Sequence, residues 1–153
     1  MRHAPPAVVL LVALVGCGGG SSPSSPSSPP STASPQVAGS YAVAVALLDN
    51  DCAGSPTVQA QPTSVAHAAG ASSFTLTHGG LQVAGSVSVD GTFTTTPLAV
   101  GDPQGPATLA IAGRFTTGGL EATVTVTVAS AAGPCRYRVG WTGTKQGAPN
   151  IIG

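Results

Sequence analysis

The stretch Leu120–Val128, LEATVTVTV, alternates strictly between apolar and polar side chains. Its apolar side chains occupy every second position from Leu120 to Val128, and glutamate or threonine fills the positions between them. Because successive side chains of a β-strand point to opposite faces, this period of two predicts a strand with one buried and one solvated face. Strands of this kind are typical of antiparallel sheets. The stretch therefore indicates an all-β protein.

The same alternation recurs on both sides of this stretch, and turn residues separate the alternating runs. Asp90-Gly91 signals a tight hairpin, since the central residues of such a turn take positive φ. Gly79-Gly80 and Gly118-Gly119 mark two further turns, whereas 101–106 and 131–134 are predicted to be longer loops. About eight strands are predicted, at 40–48, 57–65, 72–78, 81–89, 92–98, 107–115, 120–129 and 135–144.

Two features of these strands bear on the architecture. Pro62 lies inside the predicted strand 57–65, and proline confines a strand to a sheet edge or a bulge. Antiparallel strands joined by short loops favour an up-and-down barrel, which closes on itself and so has no exposed edge. A β-sandwich is the alternative architecture.

Two cysteines support closure of the barrel. Cys52 follows the first predicted strand, and Cys135 opens the last one. In a closed meander the first and last strands lie side by side and antiparallel, so these two positions meet. We expect a disulfide between them, because disulfides persist in exported proteins. The immunoglobulin order of Cys, Trp, Cys is absent, since Trp141 follows both cysteines.

The composition excludes several classes of function. Charged residues make up 7% of the 153 residues and the formal net charge is zero, so the chain has no basic patch for phosphates and is not expected to bind nucleic acid. Its longest apolar run, 7–15, is too short to span a bilayer as a helix. So few charges are typical of a poorly soluble protein or of one held at a surface, and we favour the second interpretation.

The N-terminus has the layout of a secretory signal peptide. Met1-Arg2-His3 is weakly positive, 7–15 is apolar, and small residues precede Cys17. Leu14-Val15-Gly16-Cys17 resembles the lipobox of bacterial lipoproteins. The resemblance implies that a diacylglycerol is attached to Cys17, that the chain is cut before it, and that its new amino terminus is acylated. Since Gly18 rather than aspartate follows, it also implies the outer membrane where the host has two.

The chain is predicted to have four parts. Residues 1–16 form the signal peptide, and 17–35 comprise the lipidated cysteine and a Gly/Ser/Pro linker. The linker has too little apolar surface to offset its ordering entropy, so it is expected to be a disordered tether. Residues 36–146 form the β domain, and 147–153 are a tail.

A search for catalytic groups indicates a protein that is not an enzyme. The serines lack the G-x-S-x-G elbow, and the five acidic residues form no evident pair for glycoside chemistry. His67 and His78 lie in or beside predicted turns and are expected at the surface.

Metal and cofactor sites are likewise not expected. Residues 49–51, DND, resemble the opening of a calcium loop, but the glycine and glutamate that such a loop needs do not follow, so a turn is predicted. Thr123, Thr125 and Thr127 are predicted to form an ordinary solvated strand face. On the last strand Arg136 and Arg138 should face solvent, opposite Tyr137 and Trp141.

The predicted function is therefore that of a non-enzymatic lipoprotein of the cell envelope. Its partner would be the lipid bilayer, through acylated Cys17. The predicted interior is rich in valine, alanine and glycine, which leaves room for one small apolar ligand. This arrangement resembles a lipocalin-type carrier, although Gly39-Ser40-Tyr41 has tyrosine where that family's G-x-W motif has tryptophan. The alternative is a structural or assembly lipoprotein that contacts another envelope protein.

Overall fold

The computed structural model describes residues 34–153, and the alternating segments of the sequence form a β-sheet in it. These residues form nine antiparallel strands. The strands are β1 (Gly39–Asn50), β2 (Thr63–His67), β3 (Ser73–His78), β4 (Leu81–Val87), β5 (Thr92–Thr95), β6 (Leu98–Asp102), β7 (Gly105–Thr116), β8 (Gly119–Ser130) and β9 (Gly133–Lys145). The predicted signal peptide, Cys17 and nearly all of the predicted tether lie outside the described residues. Within 34–153, no helix is long and apolar enough to cross a membrane.

Eight of the described strands close into a barrel, as predicted. Their order is β5-β4-β3-β2-β1-β9-β8-β7, and β5 returns to pair with β7. The closing register places Thr92 opposite Arg114 and Thr94 opposite Ala112. First and last strands also meet as expected, because β1 pairs with β9 along nearly its whole length. The sandwich alternative is not adopted.

One additional strand, β6, begins at the last residue of the predicted strand 92–98 and extends into the predicted loop 101–106. β6 pairs with the first part of β7, from Leu98 opposite Leu109 to Asp102 opposite Gly105. The carboxylate of Asp102 accepts a hydrogen bond from the Gln104 amide, so an Asx turn tightens this connection into a hairpin. The predicted loop 101–106 is therefore wrong, because a local side-chain hydrogen bond shortens the turn.

The predicted strand 57–65 is wrong over 57–62, which form an extended segment without strand pairing. We call 53–62 the strap. Thr63 and Val65 of β2 point into the barrel, so a regular extension of that strand would turn Gln59 and Gln61 inward and Val58 outward. The strap instead leaves the sheet at Pro62, and Val58 packs against the core.

Aromatic rings fill the end of the barrel where β1 begins. Phe115 is fully buried, and its ring lies 4.6–5.9 Å from the rings of Tyr41, Phe74 and Phe93. Gly85 makes room for this cluster, since a Cβ at that position would lie 2.5 Å from the ring of Phe74. Such close ring pairs add to the energy of apolar burial. This end of the barrel is therefore solid.

Residues 147–153, which the sequence set apart as a tail, cover that same end. Asn150 is buried, and its side-chain amide donates to the carbonyls of Thr116 and Gly119 at 2.8 and 3.1 Å. Its Oδ1 lies 2.8 Å from the Tyr41 hydroxyl, and burial raises the pKa of that phenol to about 12. Ile151 forms a bridge with Gln36. We call this the plugged end, and the opposite one the disulfide end.

Candidate functional site

The candidate site is a pocket of about 200 Å³ toward the disulfide end of the barrel, and it is open to solvent where Thr57 and Gln59 line it. Inward-facing side chains of five strands supply most of its wall, and the strap supplies the rest. The lining residues are Val45, Thr57, Val58, Gln59, His78, Leu109, Val124, Val126, Tyr137, Val139 and Trp141. Among these described lining residues, only His78 has a side chain that can become charged near neutral pH. The arrangement suits an uncharged and mainly apolar molecule.

Trp141 and His78 form the flat part of this wall. Their ring centroids lie 4.3 Å apart, and the ring planes are inclined by 31°. Trp141 is brought inward by the alternation of β9, where it stands opposite Val45 and Ala122. His78 shares the phase of Phe74 and Leu76 on β3 and so also faces inward. The prediction that His78 lies at the surface is wrong, because the inward-facing alternation of β3 continues to His78, its last residue.

Hydrogen bonds fix the position of the His78 ring. Its Nδ1 lies 2.7 Å from the Thr63 hydroxyl, which donates to the carbonyl of Gln61 at 3.0 Å. A hydroxyl that donates to a carbonyl accepts from the ring, so this pattern favours a proton on Nδ1. Burial lowers the pKa of His78, opposed by the Gln59 carbonyl, which raises it. The neutral ring is therefore the form that the folded barrel prefers.

This preference predicts a pH effect. The ordinary pKa of a histidine is 6.5, so the contribution of His78 to the free energy of unfolding is constant above that pH. Below it, the unfolded chain binds the proton more readily, and stability falls as the pH drops through the lower pKa of the folded state. A protonated imidazole quenches indole fluorescence. As the pH is lowered, we expect the fluorescence of Trp141 to decrease with a midpoint below pH 6.5. His78→Gln should abolish this decrease, and an unchanged decrease in that variant would contradict the assignment to His78.

Tyr137 lies beside the cavity and connects β9 with β6. Its hydroxyl donates to Oδ2 of Asp102 at 3.3 Å. Burial raises the pKa of Tyr137, and the negative charge of Asp102 raises it further. The phenol therefore stays neutral at physiological pH, and its hydrogen bond ties the hairpin of β6 and β7 to the wall of the site.

The predicted disulfide is present at the end of the barrel nearest the site. Cys52 and Cys135 are joined, with 5.0 Å between their Cα atoms. The amide of Asp51 donates to the Arg136 carbonyl at 2.9 Å, and the carboxylate of Asp51 accepts from the Arg136 amide. These contacts hold the start of the strap against β9. Asp51 lies close to both sulfurs, but sulfurs in a disulfide are not thiolate ligands for a metal.

The remaining predicted candidates lie apart from the cavity. Asn50 accepts from the Cys52 amide and donates to the Gly54 carbonyl, so the DND segment is a turn, as predicted. Nε of Arg138 donates to the exposed carboxylate of Asp49 at 2.7 Å, and this contact lowers the pKa of Asp49. His67 lies at the far end of β2, where Nε2 contacts the Ala71 carbonyl at 2.9 Å. The threonines of β8 alternate with inward valines, as predicted for an ordinary strand.

Comparisons with protein-family models, with curated proteins and with solved structures found no match to this chain.

Proposed function

We propose that this chain is a lipid-anchored protein of the bacterial envelope whose barrel binds a small, uncharged, mainly apolar molecule. The pocket of about 200 Å³, lined by the inward-facing side chains of five strands, is the observation that supports ligand binding. The support for the anchor is Leu14-Val15-Gly16-Cys17 together with the Gly/Ser/Pro sequence that follows it. Stable anchoring by acyl chains needs two or more of them, which lipobox processing supplies.

The size of the cavity limits the ligand. An apolar protein cavity of about 150 Å³ is enough for benzene. The present volume therefore fits one six-membered ring with a short substituent, or a branched chain of similar size. The valines and Leu109 offer it an apolar surface, and the indole of Trp141 offers a flat one. A polar substituent would lie best beside Gln59 or His78.

Bromobenzene tests this proposal, because Trp141 is the only tryptophan of the chain and a heavy atom beside it quenches its fluorescence. We expect saturable quenching by bromobenzene. Val45→Phe places a ring in the cavity opposite Trp141 and should weaken binding by about tenfold or more, at a modest cost in stability. Val89→Phe, at an exposed position outside the cavity, is the matched control and should bind as wild type. Non-saturable quenching, or equal binding by Val45→Phe, would overturn the proposal.

An assembly role is the second candidate, and two leucines favour it. Leu47 is 40% exposed and stands opposite Val139, and Leu48, the next residue, lies in a bulge of β1 and is 54% exposed. Leu48 covers Gly140 on the outer surface of the barrel. This apolar spot is small, and a barrel that serves only as a scaffold needs no cavity. If Leu47→Ser and Leu48→Ser abolished a cross-link to another envelope protein while bromobenzene failed to bind, the assembly role would be favoured.

A further inference from the structure

One edge of β1 has a strand partner for only a quarter of its length. On that side, β1 pairs with β2 at Gly39, Ser40 and Tyr41 and no further. From Ala42 onward, β9 is the only strand within the described residues that pairs with β1, and it occupies the opposite edge. We call β1 from Ala42 to Leu47, on the side away from β9, the open edge. An unpaired edge presents backbone donors and acceptors that a further strand can use.

The register with β9 shows which backbone groups point out of the open edge. The Gln146 amide donates to the Ser40 carbonyl at 2.9 Å, so Ser40 is a hydrogen-bonded position of the ladder between β1 and β9. Because such positions recur at every second residue, the even-numbered residues up to Ala46 bond to β9. The odd-numbered residues from Val43 to Leu47 therefore direct their amides and carbonyls out of the open edge.

The strap lies beside the open edge, but its backbone bonds to the other side. The Pro62 carbonyl accepts from the Gly79 amide at 3.1 Å, and the Gln59 carbonyl bonds to the His78 ring. Within the described residues, no backbone hydrogen bond joins the strap to the open edge. The strap thus runs along this edge of the sheet without pairing with it.

An uncharged groove follows the open edge. Two adjoining grooves, of about 560 and 710 Å³, lie between β1 and the strap, and none of the described residues that line them carries a charge. Ala42 and Ala44 form one wall, and Ala60, Gln61 and Pro62 form the other; all five are exposed. The small side chains of β1 let a polypeptide backbone approach. The open edge also contains neither lysine nor proline, which protect many edge strands from pairing.

We propose that the open edge binds an extended, uncharged segment of another protein, which adds to the sheet as a strand antiparallel to β1. Such a strand lies where a regular extension of β2 would lie, since β2 pairs antiparallel with the same edge. At about 3.3 Å per residue the open edge is about 20 Å long, so it accepts about six residues. Backbone hydrogen bonds give the affinity in this mode, and alternate side chains give the specificity.

The structure also indicates which side chains the segment carries. Residues that stand opposite each other in an antiparallel pair point to the same face of the sheet. The residues that bond to Val43 and Val45 therefore point toward the barrel interior, where Val45 lines the pocket beside Trp141. We expect apolar side chains at these positions and small polar ones between them. This inference goes beyond the proposed function, because it requires no small ligand.

Two other occupants of the groove are disfavoured. The predicted tether has a proline at about every third position from Pro23 to Pro29, and proline has no amide to donate to a sheet. A second copy of the chain would bring its own strap against this groove. The two straps would then hold the two open edges further apart than the spacing of about 4.8 Å between paired strands.

A synthetic peptide with the sequence of 122–128, ATVTVTV, provides the first test, since it alternates as the proposal requires and is uncharged when blocked at both ends. We expect saturable binding of the fluorescein-labelled peptide to the Cys17→Ala protein, measured by fluorescence anisotropy. Methylation of its valine amides removes the donors that face β1 and should weaken binding by at least about tenfold. Methylation of its threonine amides is the matched control and should leave binding unchanged. No saturable binding, or equal binding of the two methylated peptides, would overturn the proposal.

Val45→Pro provides the second test from the side of the protein. It removes one amide from the open edge and spares the ladder with β9, because Val45 bonds on the other side. Val45→Ala shortens the same side chain but keeps the amide, so it is the matched control. We expect the peptide to bind Val45→Pro at least about tenfold more weakly than Val45→Ala. Equal binding would overturn the proposal, and if Val45→Pro does not fold, the methylated peptides decide.

Sedimentation of the protein without peptide tests the second copy as the occupant. We expect a monomer for the Cys17→Ala protein. A dimer that dissociates in Val45→Pro would make a second copy the occupant of the open edge and would overturn the proposal. None of these measurements uses bromobenzene, so failure of this inference and failure of the proposed ligand binding are distinguishable.

Discussion

Cys17→Ala is expected to abolish acylation of the protein and to remove it from the membrane fraction. Wild type should incorporate an alkyne-labelled palmitate and partition into the detergent phase of Triton X-114, because several buried acyl chains hold it there at about 0.8 kcal/mol per CH₂. The variant should carry no label. After removal of the signal peptide it should enter the aqueous phase, since the β domain exposes few large apolar side chains.

The matched control for this experiment is Gly18→Ala, which changes the next residue and leaves the thiol in place. It should be labelled as wild type is. Mass analysis of the mature N-terminal peptide should find acylated Cys17 as the first residue. Label that persists in Cys17→Ala, or wild type without any label, would show that Cys17 is not the lipid attachment point.

Cys52→Ser combined with Cys135→Ser is expected to cause a large loss of stability. The disulfide joins residues 83 apart, so it greatly restricts the unfolded chain. The chain-entropy account gives about 4.5 kcal/mol for a loop of this length. Urea unfolding followed by the fluorescence of Trp141 measures the change, and reduction of the wild type should reproduce it. The folded barrel should persist, because β1 and β9 remain paired by their own hydrogen bonds.

The single variants are unsuitable controls, since each leaves a free thiol. A double variant that unfolds at the wild-type urea concentration would show that the disulfide adds nothing to the pairing of β1 with β9.

The sequence was most informative where local pattern and fold agree. Alternation in β8 and β9 fixed which side chains face inward, since a strand has only two faces. A turn forms where Asp90-Gly91 predicted one, with Gly91 at a φ of 85°, although Val89 and Asp90 are its central residues because the Gly91 amide donates to the Ser88 carbonyl. The positions of Cys52 and Cys135 predicted their bond, because closure of a meander brings the first and last strands together.

Two features were missed because tertiary packing overrides the local pattern. The strap alternates as a strand does, but regular pairing would bury Gln59 and expose Val58. Packing of Val58 against the core outweighs the hydrogen bonds that pairing would give, and Pro62 permits the departure. The role of Asn150 was equally hidden, since only the closed barrel brings Thr116 and Gly119 within reach of its amide.

By itself, the sequence determined the all-β class, the barrel, the disulfide and the prediction that Cys17 carries lipid. These depend on period, on turn chemistry and on short motifs, all of which are local. Tertiary structure alone decided that one end of the barrel is solid and that the other part leaves a pocket beside Trp141 and His78. A cavity is the space left after every strand has packed, so no single stretch of sequence encodes it.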